Sequence, residues 1–397
     1  MRRVTGPVER HYEAVLAAGE VFFGTRAPAL ASACWGMARR FHRGGRLVIH
    51  APAGAAFSDA QHNAVEFVHP VLVGKRALPA IAVRERAHLD LLVGPHDIRM
   101  EIAELGFSVD GEAFAVEFFE HEGLLAEGCT DEVCVTCGDV ALPAAVVTVR
   151  GSAATVRTAQ GEEEADVTLV APVEPGELLL VHGGVALERV KPIDQFSREF
   201  YPFLSNETVD VPSVLADVAQ SVRMKWADVA GLRRGQDLEA VAAALETLRT
   251  RVDAGGAVLA FGNGGSATDA ADLAADLLAI GVPGIDLSGE PAIVTAVGND
   301  IGFEEVFARQ VIALGRPGDV ALGISTSGRS GNVLRALRQA RRQGLATIAL
   351  AGYGGGELRG DPDVDHLLVT DSTYIPRIQE SQATICHALV RGLEERP

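Results

Sequence analysis

Short, almost wholly apolar runs alternate with helical patterns along residues 209–397, and this alternation limits the possible folds more than any other feature of the sequence. Nearly continuous apolar strands that are separated by helices are typical of a parallel sheet with helices on both faces. We therefore predict an α/β domain over 209–397. Its predicted strands are 258–261, 293–296, 320–324, 347–351 and 366–369.

The residues before this domain follow two other patterns. Residues 1–126 combine helical periodicity with short apolar runs at 47–50 and 81–83. Residues 127–193 contain closely spaced β-rich segments, which are typical of a small all-β barrel. The predicted barrel strands are 145–149, 154–158, 166–169 and 177–182. Residues 194–208 show no sustained periodicity and are predicted to form a linker.

The first and last parts of the chain share a faint internal repeat. SDAQHNAVEFVHPV at 58–71 has the same layout as TDAADLAADLLAIG at 268–281. In both, a Ser or Thr precedes Asp-Ala and opens a helix after a strand. We interpret 1–126 as a degenerate copy of the C-terminal α/β domain.

Charge and hydropathy exclude several classes of function. The chain has 53 acidic and 35 basic residues, so its formal net charge is −18 and its surface repels phosphate backbones and anionic lipid. No apolar run is long enough for a membrane span, and five cysteines are no disulfide framework. The N-terminus has charges and a proline where a signal peptide needs an apolar stretch. We expect a cytoplasmic protein with neither nucleic acid nor membrane as a partner.

Two loops of the C-terminal domain have the composition of a phosphate site. The first, Gly-Asn-Gly-Gly-Ser at 262–266, joins a strand to a helix, where backbone N–H groups and the Ser266 hydroxyl can face an anion. A tight turn with Ser266 as the N-cap is the alternative. The second loop follows the strand at 320–324 and is rich in hydroxyls. These hydroxyls belong to Ser325, Thr326, Ser327 and Ser330.

The motifs GNGGSATDA, AVGNDIGFEEVFARQV, GDVALGISTSGRSGNVLRALRQA and IPRIQESQATICH resemble the SIS (sugar isomerase) family, specifically phosphoheptose (sedoheptulose 7-phosphate) isomerase. The resemblance implies a flavodoxin-like fold, a sugar-phosphate ligand, and homo-oligomers with sites at subunit interfaces. Helix N-capping is an equal alternative for two of the residues that it assigns to the substrate, Asn299 and Asp300. The full set of expected substrate-binding residues is Asn263, Gly264, Gly265, Ser266, Asn299, Asp300, Ser325, Thr326, Ser327 and Ser330.

Gln379 and His387 are eight residues apart on one predicted helix, so their side chains share a face. The resemblance implies that they are zinc ligands and acid/base groups. Where the resembled isomerases carry His and Glu, this chain has Asp272 and Asp276, which could bind a divalent cation, with Asp276 also a candidate base. Two carboxylates favour harder cations than zinc. Solvated carboxylates on a helix face are the alternative.

His62 and Glu66 have the His–Glu spacing of the resembled isomerases, but they lie in the degenerate copy. There the glycine-rich loop is replaced by Pro-Ala-Gly-Ala-Ala-Phe at 52–57, and Phe57 would crowd a pocket. We expect this copy to be a structural or interface partner. An ordinary surface pair at i,i+4 is the alternative for the two side chains.

The barrel segment begins with three clustered cysteines, Cys129, Cys134 and Cys137, and contains GELLLVHGGVAL at 176–187. The second stretch resembles the HypC/HupF family of [NiFe]-hydrogenase maturation chaperones. The resemblance implies a cysteine thiolate that carries iron to the hydrogenase large subunit, with His182 as the matching histidine. Whether Cys134 or Cys137 would serve stays open. A structural barrel with buried thiols is the alternative.

Two functions are therefore expected to compete. The first is an accessory role in [NiFe]-hydrogenase maturation, with the SIS domain binding a sugar phosphate or nucleotide-sugar and with the hydrogenase large subunit and maturation proteins as partners. The second is a metal-dependent ketose/aldose isomerase that acts on sedoheptulose 7-phosphate, with a barrel that is only structural. We favour the maturation role, because a chaperone-like barrel lies between the two SIS-like segments.

Overall fold

The computed structural model describes residues 5–68, 78–103, 106–115, 142–151, 153–158, 161–167, 170, 172–182, 185–190 and 211–395. Cys129, Cys134, Cys137 and the predicted linker at 194–208 lie outside these residues. Within the described part of the chain, no helix is both long and apolar enough to cross a membrane.

The N-terminal segment is a mixed sheet with helices packed on it. Its sheet has the order β2-β1-β3-β4-β5, in which β1 pairs in parallel with β2 and β3, and antiparallel β4 and β5 follow. Buried Leu47, Ile49 and Ile98 form the centre of its core. The elements are α1 (Thr5–His42), β1 (Leu47–His50), α2 (Ala55–Val68), β2 (Ala80–Val83), α3 (Arg86–Leu92), β3 (Ile98–Ala103), β4 (Gly106–Val109) and β5 (Glu112–Ala115).

The middle segment is a closed five-stranded barrel, as predicted, with the strand order β10-β8-β7-β6-β9. Three predicted strands coincide with β6, β7 and β9. The fourth prediction, 166–169, is wrong by several residues, because β8 ends at Asp166 in a hairpin with β7. The strands are β6 (Leu142–Arg150), β7 (Ala153–Thr158), β8 (Gly161–Asp166), β9 (Leu178–His182) and β10 (Val185–Val190).

The C-terminal segment is the predicted parallel sheet between two helix layers, with the order β12-β11-β13-β14-β15. Separate cores lie on its two faces, one around Leu322 and Leu389 and the other around Phe261 and Leu337. The helices are α4 (Val211–Arg234), α5 (Leu238–Asp253), α6 (Gly265–Ala279), α7 (Pro291–Asp300), α8 (Val306–Leu314), α9 (Gly331–Arg342) and α10 (Ile375–Glu394). The strands are β11 (Val258–Gly262), β12 (Gly284–Asp286), β13 (Val320–Ser325), β14 (Ala346–Ala351) and β15 (His366–Val369).

The predicted strand at 293–296 is wrong, because these residues belong to helix α7. Pro291 stands in the first turn, where a missing N–H costs nothing, and the Glu290 side chain accepts from the Ala292 backbone N–H. Val294 and Val297, one helical turn apart, pack against the core below. The strand next to β11 at this edge of the sheet is β12.

Matching hydrogen bonds support the internal duplication. Asp97 Oδ1 accepts from the Arg46 backbone N–H at 2.7 Å, and Asp319 Oδ1 accepts from that of Ala257 at 2.8 Å. The other oxygen of each carboxylate accepts from the N–H three residues earlier, at 2.9 and 2.8 Å. Each aspartate therefore joins the start of its own strand, β3 or β13, to the start of the neighbouring parallel strand, β1 or β11. The order β2-β1-β3 corresponds to β12-β11-β13.

Candidate functional site

The glycine-rich and hydroxyl-rich loops meet at one edge of the C-terminal sheet. Gly262 and Ile324 are register partners near the carboxyl ends of β11 and β13, so the loops that follow are neighbours. The side-chain amides of Asn263 and Asn332 exchange two hydrogen bonds, at 2.9 and 2.8 Å, and link the loops. Asn332, which the sequence analysis did not single out, is only 3% exposed. Its position in the first turn after the hydroxyl loop was the available signal.

Close backbone packing shapes the glycine-rich loop. The N-cap of α6 is Gly264 with φ 58° and ψ −125°, a conformation that favours glycine. The interpretation of Ser266 as an N-cap is therefore wrong, since Ser266 lies within the first turn, where it is buried. A Cβ on Gly262 would lie 2.7 Å from the carbonyl carbon of Ser266 and still closer to its oxygen. The end of the strand therefore packs so closely on the first turn of the helix that only glycine fits at position 262, and the first N–H groups of α6 lie at the loop.

The hydroxyl-rich loop is held by hydrogen bonds among its own residues and by one from the backbone N–H of Gly352, which follows β14. Ser325 and Ser330 join their hydroxyls at 2.9 Å, and the Ser327 hydroxyl accepts from the backbone N–H of Arg329 at 3.2 Å. The backbone N–H of Gly352 donates to Thr326 O at 2.9 Å. Ser325 is buried, whereas Thr326, Ser327 and Ser330 are half-buried. Three hydroxyls thus stay within reach of a ligand on a braced loop.

A serine beyond β12, missed by the sequence analysis, supports the glycine-rich loop. The hydroxyl of Ser288 donates to Gly262 O at 3.2 Å, and its backbone N–H donates to Asp286 Oδ1 at 2.7 Å. Burial raises the pKa of Asp286, and the hydrogen bonds from Ser288 oppose that shift. Ser288 gave no signal in the sequence, because strand β12 before it is only three residues long and its hydroxyl is isolated.

Asn299 and Asp300 lie at the exposed C-terminal end of α7. The Asn299 amide donates to Asp300 Oδ1 at 2.7 Å. The alternative interpretation, that they cap the next helix, is wrong, because Gly302 and Glu305 hold the N-cap positions there. Their expected contact with substrate stays a prediction.

An imidazole and two carboxylates meet between α6 and α10. His387 Nε2 lies 2.8 Å from Asp272 Oδ2 and 3.9 Å from Asp276 Oδ2. The three groups can place ligand atoms within 4.8 Å of one another, and Asp272 and His387 are buried. One nitrogen and two carboxylate oxygens suit a divalent cation, and the two carboxylates favour a harder cation than the zinc that the resemblance implies.

Gln379 lies at the other end of this helix pair, beside the glycine-rich loop. Its Nε2 occupies the space that a Cβ on Gly265 would need, and its Cδ is 3.1 Å from that point. The side chain is buried, and among the described residues Oε1 has no hydrogen-bond partner. Gln379 and His387 therefore share a face of α10 but contact different parts of α6.

Helix α2 of the N-terminal copy packs directly on α6. His62 Nδ1 lies 2.7 Å from Thr268 Oγ1 and 3.7 Å from Asp269 Oδ1, while its Nε2 is 3.8 Å from Glu66 Oε1. The side chains of His62 and Glu66 are 17% and 10% exposed, so the interpretation as a surface pair is wrong.

Asp269 lies within this interface, and its pKa is raised well above the usual value. Burial is the main cause, with the charge of Asp272 next, and Glu66 and Asp59 act in the same direction. The positive charge of His387 opposes them. Groups from both the N-terminal and the C-terminal segment therefore influence the pKa of Asp269.

His182 ends β9, and it pairs with Val185 across the β9–β10 hairpin. Cys134 and Cys137, its expected companions, lie outside the described residues. Their role in carrying iron stays a prediction.

The parallel sheet and its two linked loops define an SIS-domain protein, and the SIS domain family model matches residues 231–352. The chain belongs to the phosphoheptose isomerase family. It is 46% identical to the phosphoheptose isomerase of Geotalea daltonii over 169 residues, 41% of this chain and 87% of the relative. It is 41% identical to that of Rhodospirillum rubrum over 170 residues, which are 41% of this chain and 89% of the relative.

A solved phosphoheptose isomerase from Neisseria gonorrhoeae is 36% identical, with 44% of this chain and 98% of that chain covered and a TM-score of 0.42. The barrel has a separate relationship, because the HupF/HypC family model matches residues 140–195. The chain thus joins an SIS domain to a HupF/HypC-type module.

Proposed function

We propose that residues 211–395 bind a sugar phosphate and interconvert its ketose and aldose forms, with sedoheptulose 7-phosphate as the substrate suggested by the relatives. The observation that carries the proposal is the linked pair of loops beside a buried imidazole–carboxylate cluster. The N–H groups at the start of α6 and the hydroxyls of Thr326, Ser327 and Ser330 suit the phosphate. A nucleotide-sugar has the same anionic group and is the competing ligand in binding assays.

Isomerisation moves a proton between adjacent carbons, so one group must take and return it while the oxygen charge is stabilised. The imidazole of His387 can do so, since the carboxylate of Asp272 at 2.8 Å from its Nε2 orients the ring. A divalent metal held by Asp272, Asp276 and His387 would stabilise the oxygen charge. His387 cannot be base and ligand together, and metal content measured against activity separates these roles.

The catalytic test is turnover of sedoheptulose 7-phosphate in the presence of Zn²⁺, Mn²⁺ or Mg²⁺. We expect His387→Ala to lower turnover by on the order of 100-fold or more, the scale of a lost acid/base group. His88→Ala, on the exposed face of α3, is the matched control and should leave turnover unchanged. Absence of turnover with every metal contradicts the isomerase proposal.

The binding test is independent of catalysis. A sugar phosphate that binds only the folded chain should raise the melting temperature by mass action. The double variant Ser266→Ala/Ser327→Ala should abolish this shift, because it removes a hydroxyl from each loop. A double variant that binds as well as the parent contradicts the placement of the phosphate.

The HupF/HypC match favours a second candidate function, an accessory role in [NiFe]-hydrogenase maturation. Here Cys134 or Cys137, with His182, would carry iron as cargo to the hydrogenase large subunit. A carrying thiolate must be reachable, so we expect alkylation of Cys134 or Cys137 in the folded chain and protection of Cys386, which is 1% exposed. Replacing Cys134 and Cys137 by Ser should abolish association with that subunit and preserve sugar-phosphate binding. Inert thiols at both positions contradict this role.

We further propose that the chain forms homo-oligomers through α7 and α8. No residue of α7 is buried against the described part of the chain, and large apolar side chains stay exposed around it. Ile293, Ile301, Phe303, Ile312 and Leu314 are 43–58% exposed. Native mass, compared between the parent and Phe303→Ser, tests the proposal, and a monomeric parent contradicts it.

A further inference from the structure

Residues 352–359, which follow β14, pack along the hydroxyl-rich loop. The backbone N–H of Glu357 donates to Gly328 O at 2.8 Å, and a Cβ on Gly328 would lie 2.6 Å from the carbonyl carbon of Gly355. A Cβ on Gly356 would lie 2.7 Å from Gly328 O. The 352–359 segment therefore borders the proposed phosphate site on the side of β14.

Tyr353 has a backbone conformation that favours glycine. Its φ is 48°, and among the described residues Asp110 is the only other non-glycine residue with a positive φ. An aromatic side chain is strained in this conformation, whereas glycine is not. The residue is 38% exposed, so burial in the core does not account for its ring. Because strained residues cluster at ligand sites, the conformation favours a functional role for Tyr353.

One exposed arginine lies on each side of the contact between the loop and the 352–359 segment. Arg329 directly follows Gly328 in the loop, and the Nε of Arg359 donates to Gly354 O. Within the part of the chain that the structure describes, no carboxylate pairs with either guanidinium group. Three arginines of the neighbouring helix α9 differ in this respect, since each forms an ion pair with a carboxylate: Arg335, Arg338 and Arg341.

The loop and the segment together are basic within an acidic chain. Residues 325–330 and 352–359 contain two guanidinium groups, Arg329 and Arg359, and one carboxylate, Glu357, so their net charge is +1 against −18 for the whole chain. Guanidinium groups bind phosphoryl oxygens through two parallel hydrogen bonds. Aromatic rings stack on nucleobases, whichever base is present. A phosphate loop, two guanidinium groups and an exposed ring therefore match the parts of a nucleoside diphosphate.

We propose that the hydroxyl-rich loop and the 352–359 segment bind a nucleoside diphosphate. Its terminal phosphate lies on the loop, its second phosphate contacts Arg329 and Arg359, and its base stacks on Tyr353. The inference rests on the proposed phosphate site of residues 211–395 and adds a second class of ligand to that site. Because both ligands place a phosphate on the same loop, the nucleoside diphosphate excludes the sugar phosphate.

Calorimetric titration of the full chain with ADP and UDP tests the proposal. We expect both to bind, since stacking on a tyrosine ring does not depend on the base. AMP lacks the second phosphate and inorganic pyrophosphate lacks the base. Each should therefore bind at least about tenfold more weakly than ADP, the scale of a lost charged hydrogen bond or a lost stacked base.

Two variants test the residues. Arg329→Gln and Tyr353→Gly should each weaken ADP binding at least about tenfold, for the same reason. Glycine at position 353 removes the ring and adopts the left-handed backbone without strain, so the segment should keep its conformation. The matched control is Arg316→Gln, at an exposed position before β13 on the opposite edge of the sheet, which should bind ADP like the parent.

Two measurements on the parent do not depend on the folding of a variant. Sedoheptulose 7-phosphate should displace ADP, because the two ligands share the loop. ADP should also slow the nitration of Tyr353, which peptide mass spectrometry can follow. Tyr12, which is 3% exposed, should react neither with nor without ADP and is the internal control.

The outcomes separate this inference from the proposed function. A parent that binds sedoheptulose 7-phosphate but neither ADP nor UDP overturns the inference alone, and so do Arg329→Gln and Tyr353→Gly variants that bind ADP like the parent. A parent that binds ADP but not sedoheptulose 7-phosphate overturns the proposed substrate and supports the inference. A parent that binds none of the three ligands overturns both.

Discussion

Gly262→Ala tests whether the glycine-rich loop needs its close backbone approach. The added methyl group would lie 2.7 Å from the Ser266 carbonyl carbon and 2.8 Å from its Cβ, and real Cβ atoms essentially never come so close. The obstructing atoms include backbone of the first turn of α6, so relief requires a shift of the helix start. Inserting one methyl group into a closely packed position typically costs about 1–3 kcal/mol.

That cost will appear as lost stability if the loop stays in place, or as weaker binding if the loop moves. If the whole cost of about 1–3 kcal/mol appears in binding, the affinity for the sugar phosphate falls roughly 5- to 150-fold. Urea unfolding and calorimetric titration with sedoheptulose 7-phosphate measure the two quantities on the same samples. A Gly262→Ala variant that equals the parent in both would refute the inferred packing of this loop.

Gly231→Ala is the matched control for this substitution. Gly231 is an exposed residue of α4, and among the described residues no atom outside its chain neighbours and the adjacent turns of its own helix lies within 4 Å of its would-be Cβ. Alanine has the higher helix propensity, so we expect this variant to gain up to about 1 kcal/mol of stability. Its sugar-phosphate affinity should equal that of the parent.

Two further predictions concern stability. The hydrogen bond from Arg46 lowers the pKa of Asp97 to about 2, so this carboxylate contributes stability above its unfolded pKa that is lost as the pH falls through about 2. Asp97→Asn should cost about 1 kcal/mol at pH 7, and its deficit in urea unfolding should shrink between about pH 4 and 2; a pH-independent deficit contradicts this. Gly19→Ala should lower the free energy of unfolding by about 1–3 kcal/mol, since the added Cβ would lie 2.6 Å from Trp226 Cζ2. The matched control is Gly24→Ala, whose added Cβ would contact no described residue outside its own stretch of α1, and this variant should stabilise α1. Equal unfolding midpoints for these two variants would contradict the packing of α1 on α4.

The sequence predicted the parallel sheet because buried central strands must be almost wholly apolar, and β11, β13 and β14 have this signature. The same rule failed at 293–296. There the apolar residues form the exposed and half-buried faces of α7, and a short apolar run does not distinguish a helix from a strand. Pro291 was the signal that favoured a helix start.

Parts of the site could not be predicted because they depend on contacts between distant segments. The pairing of Asn263 with Asn332 joins residues 69 positions apart, and the loop motifs that contain or precede them did not indicate that the two amides would meet. The shared helix face of Gln379 and His387 was predictable from spacing, but their separate contacts along α6 were not. The contact of His62 with Thr268 could not be predicted either, because it depends on the packing of α2 on α6.

Helix α2 packs on α6, and the two helices differ in sequence. In a two-fold dimer of identical chains, an equivalent contact would join one helix to its own symmetry mate. In a two-fold homodimer every substitution occurs on both sides of the axis, so a change that improves one side is imposed on the other. Here position 62 is histidine and the equivalent position 272 is aspartate, within a single gene product. Covalent linkage also keeps the two helices at a fixed effective concentration, so their association should survive dilution that would separate two free subunits. Within one chain, the two helices are thus free of the sequence identity that two-fold symmetry would impose on both sides of the contact.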